Sequence, residues 1–211
     1  MTTVLLIHGG LWDAMDAEAF WGTTGVIDGL ASHGVTVVAP DRLKRPSGWD
    51  AEMTVLGEHL RNLRLPPGDS GLTIVGASNG CTVAARLAME HPDLVDRLLL
   101  AWPATGGDAA VNARTRAGLI EFGCPPEVVD GLLAGETLRG VTDAELTGLA
   151  RIPVAVLPSV PENPSHQRKT VDALLRLIQG SRELSGSAEP PLPTFPPYLD
   201  QLVRTIVEFV N

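Results

Sequence analysis

Cysteine is scarce. Cys81 and Cys124 are the only two in 211 residues. That is too few for a disulfide framework or a cysteine-rich metal site, and both are expected to be small buried apolar residues. Basic residues are in deficit, with 16 Lys and Arg against 25 Asp and Glu for a formal charge of −9. Nucleic acid and anionic membrane surfaces both reward a basic face, so neither is expected as a partner. No apolar run approaches membrane-spanning length. No grouping of His, Asp, Glu and Cys shows metal-ligand spacing, so no metal and no other cofactor is expected. The segment Met1-Thr2-Thr3-Val4 carries no basic n-region or cleavage site, so a cytoplasmic protein is expected. There is no internal repeat and no interdomain linker. At this length the chain 1–211 is expected to form one domain with one sizeable core.

What is present centres on Gly76-Ala77-Ser78-Asn79-Gly80. An apolar run, Leu72 to Val75, precedes it, and helix-like spacing from Cys81 to Met89 follows. Strand, Gly-x-Ser-x-Gly and helix together are the context of a nucleophile elbow. A serine on so tight a turn needs strained backbone angles, and its neighbours Gly76 and Gly80 must lack a Cβ. The turn would lift the Ser78 hydroxyl to the carboxyl edge of a sheet. It would also put the Asn79 N–H at a helix start, where it could donate to a developing oxyanion.

The rest of the chain alternates strands and helices. Val4 to Ile7 is a solid apolar run ended by His8-Gly9-Gly10. A glycine-broken helical segment from about Asp13 to Ser32 leads to the strand Val35 to Ala39. A helix from Trp49 to Leu63 and a turn at Pro66-Pro67-Gly68-Asp69 bring the chain to the elbow strand. Val95 to Trp102 is a fourth strand. Helical pieces follow at Ala109 to Phe122, Pro125 to Ala134 and Thr142 to Leu149, the last opened by a Thr142-x-x-Glu145 capping box. Pro153 to Leu157 is a fifth strand, with a helix from about His166 to Ile178. Arg182 to Leu184 reads as a short sixth strand, and an amphipathic helix from Tyr198 to Val210 closes the chain. Apolar strands alternating with helices imply a mainly parallel sheet covered on both faces, an α/β class. Ligands bind beyond the carboxyl ends of such strands. His8 to Gly10, Ser78, Trp102 and Pro158 to His166 all fall there.

With these motifs the chain resembles the α/β-hydrolase family. The likeness implies a single-domain α/β-hydrolase fold of about six strands, in which the first strand corresponds to the family's third. Residues 106–149 would be a small helical cap insertion governing substrate choice. The resemblance makes Ser78 the nucleophile. The oxyanion hole would be the backbone N–H of Asn79 with one from Gly10 or Leu11, and His8 would be a structural histidine beside it. The family's acid follows the strand that is here Pro153 to Leu157. Glu162 is the only carboxylate in the loop that follows, and Asp108 is the weaker alternative. The family's histidine belongs in the loop Ser185 to Pro197, which contains none. Apart from the structural His8, His166 alone of the five histidines falls at the catalytic rim, four residues after Glu162.

Two readings stay open. In one, His166 acts as the base with Glu162 orienting it, giving a cofactor-free serine hydrolase for a small ester, thioester or lactone. Trp12 and Trp102 near the mouth would favour an apolar acyl group. In the other, the triad is broken and the fold binds a small apolar ligand without hydrolysing it. A purely structural partner-binding module ranks last, because it gains nothing from an intact elbow.

Overall fold

The computed structural model describes residues 2–12, 15–65 and 71–211. Met1, the first residues of the Asp13 segment and the Pro66-Pro67-Gly68-Asp69 turn lie outside the described residues. Six strands form one sheet: β1 (Thr2–Ile7), β2 (Val35–Val38), β3 (Leu72–Ala77), β4 (Val95–Ala101), β5 (Val154–Leu157) and β6 (Arg182–Glu183). Their order is β2-β1-β3-β4-β5-β6 and every pairing is parallel. The apolar runs explain this. Alternate residues of β1, β3 and β4 serve opposite faces, so a strand coated by helices on both sides has no polar position to offer.

Helices α1 (Val26–Ser32) and α8 (Leu199–Val210) cover one face. There Val26, Leu30, Leu202 and Ile206 pack on Val4, Leu6, Val75 and Leu99. The approach is close, since a Cβ on Gly29 would meet Val203 Cγ2 at 2.6 Å. The other face carries α2 (Trp49–Asn62), α3 (Gly80–Glu90) and α7 (Arg168–Leu177), packed on Leu5, Ile7, Ile74 and Leu100. The pieces between β4 and β5, α4 (Ala109–Glu121), α5 (Pro126–Leu133) and α6 (Asp143–Leu146), join this second core. The Thr142–Glu145 capping box is formed. Before α1, the glycine-broken segment makes a π-helical turn, Glu18–Gly22.

The sheet order places the site. From β1 the chain first steps outward to β2, then returns to β3 on the other side. The carboxyl ends of β1 and β3 are therefore a topological switch point, the place where open α/β sheets bind their ligands. One boundary differs from expectation: α7 begins at Arg168, so His166 lies in the loop rather than in the first helical turn. Gln167 is extended (φ −88°, ψ 145°), and the His166 N–H is taken by the Asn163 side-chain oxygen.

Gly80 tests how tightly β1 and α3 meet. A Cβ there would lie 2.5 Å from the His8 carbonyl oxygen and 2.7 Å from that of Ile7. Alanine would favour the helix by about 1 kcal/mol, but both obstacles are backbone, and overpacking costs about 1–3 kcal/mol or more. The clash wins. Gly80→Ala should lower the denaturant midpoint, and an unchanged or raised midpoint would refute this close approach.

Candidate active site

Ser78 sits at the end of β3 with φ +52°. For a residue with a side chain, this left-handed region costs about 1–3 kcal/mol and persists only where surroundings enforce it. Here they do. A Cβ on Gly76 would meet Ala84 Cβ at 2.6 Å and the Gly80 oxygen at 2.7 Å. The Ser78 N–H donates to the Ala101 carbonyl (2.9 Å), and its own carbonyl accepts from Cys81 N–H (3.1 Å). The turn is thus tied to β4 and to the elbow helix at once.

Ser78 Oγ lies 2.8 Å from His166 Nε2, across 88 residues of sequence. Thr105, buried after β4, fixes the histidine loop: its N–H donates to the Ser165 carbonyl (2.8 Å) and its hydroxyl accepts from Gln167 N–H (3.0 Å). The other ring nitrogen, Nδ1, lies 3.4 Å from a Glu189 carboxylate oxygen. It also lies 3.1 Å from the Asn163 amide nitrogen. The Asn163 oxygen accepts from Ser165 N–H (2.9 Å) and His166 N–H (3.1 Å), which fixes its NH₂ toward the ring. Nδ1 is therefore contested by a donor that wants it bare and a carboxylate that, once ionised, wants it protonated. Ser78, His166 and Glu189 are each 8 % exposed. Burial pushes Glu189 up to about 7. It pushes His166 down to about 4, with the nearby Arg139 charge adding to the effect. The imidazole is thus neutral at neutral pH and able to accept a proton.

Glu162 does not meet His166. Its carboxylate accepts from the Arg168 N–H (3.0 Å) at the start of α7. Asp108 is occupied in the same way, accepting from Val111 N–H (2.9 Å) at the start of α4 and pairing with Lys169. Unsatisfied N–H groups at helix starts compete strongly for carboxylates, and they claimed both acids that the sequence nominated. Glu189 was missed. It is the only carboxylate in the loop Ser185 to Pro197, and that count was the signal that could have found it. Trp102 is not at the mouth: it is fully buried, and its indole N–H donates to the Ser187 carbonyl (2.9 Å), anchoring the Glu189 loop. Trp12 is half-buried beneath Arg45, 5.3 Å from the guanidinium.

His8 is buried, with Nδ1 2.8 Å from the Gly9 carbonyl and Nε2 accepting from Arg42 N–H (3.0 Å). Arg42, which sequence reading passed over, organises this loop. Its Nη1 donates to the His8, Gly9 and Gly10 carbonyls (3.1, 3.2 and 2.8 Å). Nε and Nη2 grip Glu52 at 2.8 and 2.9 Å. None of the loop and turn hydrogen bonds of the described residues uses the N–H of Gly10, Leu11 or Asn79. Among the described residues no three His, Cys, Asp or Glu side chains gather as a metal set, and no helix is long and apolar enough to cross a membrane.

A family model described as alpha/beta hydrolase fold matches residues 2–114. The chain belongs to that family. The alpha/beta hydrolase fold also recurs among solved structures. The lipase-esterase related protein from Clostridium acetobutylicum is 13 % identical, with a TM-score of 0.68 over 99 % of this chain and 94 % of that one. A mutant of the meta-cleavage product hydrolase CumD from Pseudomonas fluorescens IP01, complexed with acetates, is 19 % identical, with a TM-score of 0.67 over 99 % and 90 %. The thioesterase domain from the curacin biosynthetic pathway is 16 % identical, with a TM-score of 0.69 over 98 % and 91 %. No curated protein matches the sequence. Within this alpha/beta hydrolase, the Arg42–Glu52 pair has both side chains almost wholly out of solvent, at 4 % and 0 % exposure. Glu52→Ala would leave Arg42 charged and unpaired, a loss of about 3–5 kcal/mol. Chemical denaturation should report that loss, and a midpoint equal to that of the unaltered protein would refute it.

Proposed function

We propose that the protein is a serine hydrolase cleaving a small ester, thioester or lactone through an acyl-enzyme on Ser78. The observation that carries this reading is the 2.8 Å contact between Ser78 Oγ and His166 Nε2 on a strained elbow. His166 takes the Ser78 proton as Oγ attacks the carbonyl carbon, and the substrate oxygen becomes an oxyanion. The N–H groups of Asn79 and of Gly10 or Leu11 receive that charge. His166 returns the proton to the leaving group. Water then enters, gives its proton to the same nitrogen and releases the acid. Glu189, not Glu162, orients the imidazole in this scheme. Residues 106–149 cover the pocket and shape its substrate choice; the support is the contact of Arg139, within that segment, with Asn79.

A fluorophosphonate probe should add its phosphonyl mass at Ser78 in the native protein and not in Ser78→Ala. A native protein that stays unmodified would sink the hydrolase reading and leave the ligand-binding one. Turnover of a short acyl ester should fall about 10³-fold or more in His166→Ala, because such residues act as a unit. Glu189→Gln should also cost activity, whereas Glu162→Gln should not.

The pH profile separates these acids further. Ionised Glu189 draws the ring proton to Nδ1 and frees the Nε2 lone pair for Ser78, whereas neutral Glu189 leaves Nδ1 to the Asn163 amide. With Glu189 pushed up to about 7 by burial, kcat/KM should rise with pH through that region, above the His166 value of about 4. Glu189→Gln should abolish that rise. Persistence of the limb in this variant would assign it to another group.

A further inference from the structure

The turn between α5 and α6 delivers Arg139 to the elbow. Its carbonyl accepts from the Thr82 hydroxyl (2.7 Å) on the elbow helix, and the side chain is 4 % exposed. Nη1 donates to Asn79 Oδ1 (2.8 Å), on the residue that follows the nucleophile, and Nη2 donates to Thr115 Oγ1 (3.2 Å). Nε–H is buried without a partner. Among the described residues no carboxylate pairs with this guanidinium. A buried cation with neither counter-ion nor a full set of acceptors is costly. The same chain shows the alternative. Buried Arg42 has Glu52 and three carbonyls around it. Arg139 differs in what it lacks, and it stands beside the reacting groups.

We propose that Arg139 is the subsite for a carboxylate carried by the substrate, so that the preferred ester is the half-ester of a small dicarboxylic acid. This rests on the hydrolase reading above. A carboxylate suits the site better than a phosphate. One arginine balances one charge, the protein already carries a net charge of −9, and the two oxygens of a carboxylate match the fork of an Nε–H and an Nη–H. The Asn79 contact sets the guanidinium next to the residue whose N–H would hold the oxyanion, so both ends of such a substrate are held within one short span. Binding would act on the base as well. The Arg139 charge depresses His166, and a carboxylate that neutralises it makes His166 a stronger base when substrate is seated. The turn is bounded by Gly135 and Gly140, whose φ of +113° and +67° other residues rarely adopt. The Nε edge is closed in this conformation, so seating the carboxylate requires the turn to shift.

The experiment compares monomethyl glutarate with dimethyl glutarate, and monomethyl succinate with dimethyl succinate, measuring the methanol released by the full chain. Expected is a kcat/KM about 10- to 100-fold higher for the anionic member of a pair, the gain of one charge-assisted contact. In Arg139→Met the ratio should fall to near one, with folding checked by circular dichroism, and Arg139→Lys should keep part of it. Equal rates on the two members in the native protein, or a preference that survives Arg139→Met, would overturn the subsite while leaving the hydrolase standing. Equal rates in the native protein overturn the subsite even if the methionine variant does not fold, and a ratio left unchanged in Arg139→Lys then does the same. If the native protein cleaves none of the four and the fluorophosphonate leaves Ser78 unmodified, the hydrolase reading has failed and binding decides the subsite. Monomethyl glutarate should then raise the melting temperature of the native protein, and dimethyl glutarate should not. Equal shifts, or none, would refute the subsite in that case too.

Discussion

The structure turns on a backbone constraint at one residue. Ser78 is held at φ +52° because β3 ends where the elbow helix must begin, and that helix runs hard against the β1 loop. The space comes from two missing side-chain carbons. Gly76 lets Ala84 and the Gly80 carbonyl approach, and Gly80 lets the helix sit on the Ile7 and His8 carbonyls. Close packing makes such a junction nearly incompressible, so strain at one residue is held by contacts from several. The consequence is positional. Ser78 Oγ faces the His166 loop, and the Gly9 backbone lies against the Ser78 side chain at the switch point of the sheet.

Two buried arginines hold this junction, Arg42 at the β1 loop and Arg139 at Asn79, and their surroundings differ. Arg42 is fully engaged: its charge meets Glu52, and its remaining donors hold three successive carbonyls of the β1 loop. Those contacts hold the loop after β1 in one conformation. Among the described residues no carboxylate meets Arg139, and its Nε–H is unspent. Burial pushes it down to about 10, still far above neutrality, so it remains a cation. One buried guanidinium is matched by a carboxylate, and the other leaves its positive potential beside Asn79 and the elbow.

Much of this was legible from residue pattern. The apolar runs of β1, β3 and β4 fixed strand identity because both of their faces are buried, and the Gly-x-Ser-x-Gly context named the elbow. His166 emerged by elimination, since His33, His59 and His91 fall away from the rim and His8 reads as structural. What could not be read were contacts decided by competition. Glu162 and Asp108 stand at the right strand ends, yet helix N-termini took both. Trp102 follows a strand at the rim, but its indole N–H found the Ser187 carbonyl and its ring the core. Arg42 and Glu52 carry no motif. Their pairing across ten residues depends on where α2 lands after β2, which local sequence does not encode.

The exchange of loops has a geometric logic of its own. The family resemblance puts the acid after the strand that is here β5 and the histidine after β6, whereas this chain has His166 after β5 and Glu189 after β6. Along the sheet the order runs β3, β4, β5, β6, so Ser78, His166 and Glu189 stand in sequence outward from the elbow. The histidine then needs only a short loop to reach Ser78, and its far nitrogen faces the outermost strand's loop. That loop is braced by Ser187, whose carbonyl accepts from both Trp102 Nε1 and Val160 N–H. Both loops are therefore fixed by buried anchors, Thr105 for one and Ser187 for the other. A relay that needs a proton acceptor beside the serine and a carboxylate behind it can be met by either assignment of residue types, provided the carboxylate stays behind the ring. Here that condition is met at 3.4 Å, in a setting dry enough to bring the Glu189 carboxyl into the neutral range.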